Sequence, residues 1–216
     1  MTSSLLHPSL SPAQRRPTDS PLIDQVGSAL GLADLWRLRQ VHALEHATIW
    51  VLTGAQPMPV GLPVGEYHPA SLDDGRFSGL STPQGFYLTG DIEVSALSQA
   101  AKAALQRLNA GEWNLAIHPR CGTNLSVSTA LMVGLSLMAA AVMPRRPLEQ
   151  CLGLGAAAVA TAAVSPVLGA LAQQYVTTAP PENLAIARVY PVYGEETSRP
   201  KRHFVQVKWH DAKPVS

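Results

Sequence analysis

The chain has 216 residues, with Lys+Arg 16 against Asp+Glu 15 and a formal charge of +1. That balance excludes the clustered basic footprint of a nucleic-acid-binding domain, and an apolar share of 46% excludes a chain disordered throughout. Charged residues are 14% of the chain, against a usual share of roughly a quarter, and the two cysteines, Cys121 and Cys151, exclude a disulfide-stapled scaffold.

Residues 1–20 are rich in Ser and Pro, with neither the apolar run nor the small-residue cleavage site of a secretory signal, and are expected to form a flexible tail. Apolar spacing predicts a helix over Ala33–Thr53, with Asp34 as N-cap and Gly54 just past its end. Leu35, Leu38, His42, Glu45, His46, Ile49 and Leu52 share one stripe of that helix, apolar at both ends and ionisable in the middle. The Pro- and Gly-rich stretch 56–83 reads as a loop with a turn at Asp73-Asp74-Gly75. A short strand at Gly85-Phe86-Tyr87-Leu88-Thr89-Gly90 follows, then an Ala/Leu helix over 95–109 and a short strand or extended entry at Leu115-Ala116-Ile117.

From 121 to 144 no side chain is charged, and a second charge-free stretch runs from 150 to 181. Their apolar centres, 125–143 and 151–172, are each about the 20 residues that a helix needs to cross a hydrocarbon core. Only Pro144-Arg145-Arg146-Pro147-Leu148-Glu149 separates them, so they are expected to form a transmembrane helical hairpin, with Pro166 kinking the second helix. Abundant Gly, Ala, Ser and Thr suit close helix–helix contact in lipid. Arg145 and Arg146 draw the turn towards the cytoplasm, while Arg120, Arg188, Lys201 and Arg202 draw the flanks there. Without a signal sequence, the flanks are placed on the cytoplasmic side of a plasma or thylakoid-type membrane. Past the hairpin, Leu184–Val192 and 203–209 alternate as the arms of a β-hairpin. The expected fold class is α+β: a small metal-binding domain split in sequence around a two-helix transmembrane hairpin. Its parts are a tail 1–20, an N-terminal metal-binding domain 21–120, the hairpin 121–176 and a C-terminal β-hairpin 177–216 completing the soluble domain.

His42-Ala43-Leu44-Glu45-His46 forms an HxxEH string. At i and i+4 both imidazoles stand on one helix face and reach one ion, with Glu45 beside them. Further on, His118-Pro119-Arg120-Cys121-Gly122-Thr123 carries His and Cys three apart in a tight turn. A thiolate with imidazoles suits Zn²⁺, so His42, His46, His118 and Cys121 are the candidate metal ligands and Glu45 the candidate catalytic base. Arg120 is placed beside that turn, where it can bind a lipid phosphate or a carboxylate. Trp36 and Trp50 read as packing or interface residues. Asp91 and Glu93 read as solvated strand-end residues that can also contact a ligand histidine. His203 reads as an edge-strand residue, His210 as a surface one, and His7 and His68 receive no role.

The pairing of an HxxEHxT string at His42 to Thr48 with an HPRCGT turn at His118 to Thr123 resembles two groups of bacterial membrane proteins. One is a family of unknown function found mainly in cyanobacteria and similar along most of the chain; the other, the YqhQ-like family, is similar chiefly in the two motifs. The resemblance takes in Gly85-Phe86-Tyr87, Arg107-Leu108, Gly111-Glu112, Leu115-Ala116-Ile117-His118 and the Gln-rich exit near Thr177-Thr178. It implies a membrane-associated protein with a metal site and brings no reaction. The acidic third ligand of a metalloprotease helix is missing downstream.

Two readings follow. The first is a membrane zinc-dependent hydrolase using a metal-activated water, and the second a non-enzymatic membrane assembly or scaffold protein with a structural metal site. Metal sensing or handling is a third, needing an exchangeable ion. An open coordination position favours catalysis, and a closed cage favours structure. Membrane lipids and other membrane proteins are the expected partners, and nucleic acid is not.

Overall fold

The computed structural model describes residues 33–55, 74–192 and 202–210. The tail 1–20, His7, His68, Asp73 and Lys201 lie outside the described residues. In chain order the elements are α1 (Ala33–Thr53), β1 (Ser78–Thr82), β2 (Gly85–Thr89), α2 (Val94–Asn109), a 3₁₀ turn (Trp113–Ala116), α3 (Gly122–Val142), α4 (Pro147–Ala172) continued by a π turn (Gln173–Thr177), β3 (Leu184–Val192) and β4 (Arg202–Trp209). The fold class is α+β. The four strands form one antiparallel sheet in the order β1-β2-β4-β3, so strands from before and after α3–α4 complete each other.

One sheet face carries Phe86, Leu88, Val205 and Val207 onto α1 and α2, where Val41, Leu44, Leu97 and Leu108 close the core. The opposite face stacks Tyr87, Phe204 and Tyr190 across three strands, with ring centroids 4.6 and 5.7 Å apart. Helix α1 ends where expected: Gly54 takes φ 65° and its N–H donates to the Trp50 carbonyl at 3.1 Å. Three expectations need correction here. The middle of α1 is buried on every side over residues 43–50 rather than along one stripe, because α2, β1 and the 3₁₀ turn all pack on it. Asp34 lies inside the first turn, paired with Arg37 at 3.2 Å, rather than capping it. Leu115 and Ala116 belong to the 3₁₀ turn, and only Ile117 is extended.

Strand β1 rises where the sequence reads as loop. Ser-Gly-Leu-Ser-Thr has no apolar alternation, and it is held by pairing with β2 across the turn Pro83-Gln84. Strand β4 is an interior strand, so His203 is a buried core-face residue opposite Leu88 rather than an edge residue. His210 is exposed, as expected.

Helices α3 and α4 are both long and apolar enough to cross a membrane. They pack antiparallel through small residues. Gly153 meets Ala139 and Met143, Thr161 faces Met132, and Gly169 lies against Asn124. Gly153, Ala157, Thr161, Ser165 and Gly169 recur every fourth residue along that seam. Helix α4 runs unbroken through Pro166 to Ala172. Outward, Leu125, Leu137 and Val142 are 71%, 67% and 78% exposed.

Candidate metal centre

The centre forms where α1 meets the turn entering α3. His42 and His46 stand one turn apart on α1. The turn at His118-Pro119-Arg120-Cys121 is closed by the Cys121 N–H donating to the His118 carbonyl at 3.2 Å. Cys121 then caps α3, its sulfur accepting from the Thr123 N–H at 3.4 Å. Buried Gln173, just past α4, fixes the turn: its Oε1 accepts from the His118 N–H at 2.8 Å, and its Nε2 donates to Asn124 Oδ1 at 2.8 Å. Asn124 in turn donates to the Pro119 carbonyl at 2.8 Å.

This framework brings one ligand atom from each of His42, His46 and Cys121 within 4.8 Å of the others. His42 Nε2 lies 3.3 Å from Cys121 Sγ. His42 Nδ1 bonds the Thr177 carbonyl at 3.0 Å, and His46 Nδ1 bonds the Ala116 carbonyl at 2.8 Å. A carbonyl only accepts, so each neutral ring carries its proton on Nδ1 and offers the Nε2 lone pair. Nitrogen and sulfur ligands on a tetrahedral zinc stand about 3.6 Å apart, near the separation found. The donor set therefore fits such an ion, and without one the same contact is a thiol–imidazole hydrogen bond.

His118 lies outside this group. Its buried ring sits against Trp50 and 5.6 Å from His46 (centroid to centroid), and its Nδ1 accepts from the Arg120 N–H at 3.3 Å. Burial, and then the charges of His46 and Arg120, push its pKa down to about 3. Burial also lowers His46. Burial acts to raise the Cys121 thiol, but hydrogen bonding and charge attraction from His46, with bonds from Thr123, outweigh it and leave the pKa lowered. A thiol shifted that way beside two imidazole Nε2 atoms is a good soft-metal ligand.

Glu45 is 5% exposed, turned towards β1, and accepts a hydrogen bond from the Ser81 hydroxyl. A Cβ at Gly79 would overlap its carboxylate, so glycine there permits the close approach. Burial raises its pKa, against the opposing pull of Ser81 and His42. The Arg120 guanidinium packs over Gly75, where a Cβ would overlap it, and so ties the ligand turn to the segment entering β1. Trp50 is buried and donates to the Ile117 carbonyl at 3.0 Å, while Trp36 lies under Arg39. Asp91 and Glu93 are exposed.

The sequence reading gave no role to Gln173, Asn124 or Ser81. Gln173 had one legible signal, an uncharged polar residue ending an apolar run. The orienting carbonyls of Thr177 and Ala116 have none, because any residue supplies a carbonyl.

The model of a domain of unknown function, DUF6391, matches residues 37–189, a span that includes His42, Glu45, His46, His118, Cys121 and Gln173. An uncharacterized protein of the cyanobacterium Picosynechococcus is 46% identical over 195 residues, covering 90% of each chain. No solved structure matches. With the model spanning most of its length, the chain belongs to the DUF6391 family.

Proposed function

We propose that this is an integral membrane metal-binding protein in which His42, His46 and Cys121 hold zinc and Glu45 serves hydrolysis. The observation that carries the reading is the convergence of two Nε2 lone pairs and a thiol, each oriented by a backbone partner. Three protein donors would leave room for a non-protein ligand, as in catalytic rather than structural zinc sites. Zinc bound there supplies a Lewis acid and lowers the pKa of a coordinated water. Glu45, buried and held by Ser81, would hold the proton released in hydrolysis and hand it to the leaving group; its raised pKa suits both transfers.

The membrane part of the reading rests on the length and outward apolar surface of α3 and α4. Residues 21–120 and 177–216 form the soluble part around the hairpin 121–176, on the cytoplasmic side, with membrane lipids and other membrane proteins as partners. The resemblance of the motif pair to the YqhQ-like family favours the same assignment.

A specific observation favours the scaffold reading as second. Cys121 starts α3, and the Thr177 carbonyl that His42 holds follows α4, so an ion would clamp both ends of the hairpin to α1. The discriminating experiment compares zinc-loaded, detergent-purified protein with Glu45→Gln on fluorogenic ester and peptide probes. The hydrolase reading expects the variant to keep its zinc and lose about 10²-fold or more in turnover. Equal rates in both would leave the scaffold.

A further inference from the structure

Among the described residues strand β1 ends the sheet, and its outer edge is placed by register. The Val207 N–H donates to the Gln84 carbonyl at 3.0 Å. With the pairs Phe86↔Val205 and Leu88↔His203, this turns residues 84, 86 and 88 towards β4. Residues 85, 87 and 89 therefore bond Thr82, Leu80 and Ser78 of β1. The backbone N–H and C=O of Gly79 and Ser81 then point off the open edge, while their side-chain positions face Glu45. Among the described residues no strand pairs with that edge.

The two sheet edges differ in a telling way. Edge β3 carries the usual defences against strand addition: a register shift between Ile186 and Arg188, the charge of Arg188, and Pro191. Edge β1, Ser-Gly-Leu-Ser-Thr, carries no charge, proline or bulge. Donors and acceptors alternating at strand spacing are matched by an extended polypeptide backbone. Gly79 and Ser81 meet the Glu45 carboxylate, one helical turn from His42 and near enough to feel its charge, so this edge borders the centre.

We propose that the open edge of β1 receives an extended polypeptide as an added strand, and that such a polypeptide is the substrate class of the centre. The second half rests on the hydrolytic reading given above. In that step a water oxygen bonds to the peptide carbonyl carbon and the C–N bond breaks. One water proton passes through Glu45 to the leaving amine, with no oxidation or reduction.

Hydrogen exchange on full-length, zinc-loaded Glu45→Gln protein tests this, with oxidised insulin B chain as the extended probe and zinc content measured in the same samples. The Gly79 and Ser81 amides are expected to exchange fast alone and at least about tenfold more slowly with saturating probe. Ser81→Pro removes an edge donor that bonds nothing in β2, and should abolish the protection at Gly79. Ser81→Ala, which loses only the hydroxyl, should keep it. Should Ser81→Pro not fold, a B chain N-methylated at alternate residues must fail to protect the unmodified edge. Unchanged exchange at both amides under saturating probe overturns the proposal, as does slow exchange before any probe is added. Zinc without protection removes the added strand alone; protection without zinc removes the metal reading and leaves the strand.

Discussion

At the centre each imidazole is aimed by a carbonyl, Thr177 for His42 and Ala116 for His46, and Cys121 is aimed by the start of α3. The donor atoms therefore converge without an ion, which would lower the entropy cost of binding one. Cobalt(II) titration should give a thiolate-to-metal charge-transfer band that disappears in Cys121→Ala; a band that survives would remove Cys121 from the ligands. The two buried groups beside the cluster titrate with opposite signs. His118 has its pKa near 3 in the folded chain and about 6.5 unfolded, so the unfolded state binds more protons between those values. Its contribution is thus present above pH 6.5 and lost as pH falls towards 3, with a slope of at most about 1.4 kcal/mol per pH unit. Denaturant midpoints at pH 7 and pH 5, read by tryptophan fluorescence, should converge in His118→Phe relative to the unmutated protein. Glu45 has a raised folded pKa, so the folded state binds the extra proton and stability falls as pH rises above the usual carboxylate range. Glu45→Gln should accordingly raise the urea midpoint at pH 7 while removing the proposed proton acceptor, and a lowered midpoint would contradict the raised pKa.

At the scale of elements, the joint between the hairpin and α1 is polar and closed. Gln173 holds the His118 N–H and Asn124, and Arg39 Nη2 donates to the Tyr175 and Thr178 carbonyls at 2.9 and 3.0 Å. Gln173→Ala strands the buried His118 N–H and should cost about 1–3 kcal/mol by urea midpoint. Much of this layer was legible in sequence. The 3.6-residue spacing before Gly54, the Ala/Leu run ending near Gly111, the two charge-free stretches and the alternation in β3 and β4 each carry a period that local physics imposes. Strand β1 was not legible, because Ser-Gly-Leu-Ser-Thr takes its conformation from pairing with β2 and from Gly79 lying over Glu45. The HxxEH string placed two imidazoles together through helix geometry alone. The sequence offers both His118 and Cys121 as further ligands, and the twist of the turn sets the sulfur against His42 and the His118 ring against Trp50.

For the whole molecule, the sheet closes only after the chain returns from α4, when β4 pairs with β2 and joins β1–β2 to β3–β4. The proposed metal then links three parts: α1, the start of α3, and through His42 the segment after α4. The exposed leucines and valines of α3 and α4 predict that the protein stays with the membrane pellet after alkaline carbonate washing; release into the supernatant would contradict the spanning reading. The most direct test of the three-ligand centre is zinc content by elemental mass spectrometry on detergent-purified protein and its single alanine variants. About one zinc per chain is expected, lost in His42→Ala, His46→Ala and Cys121→Ala and kept in His118→Ala. No zinc in the unmutated protein, or its loss in His118→Ala with the fold intact, would contradict the account.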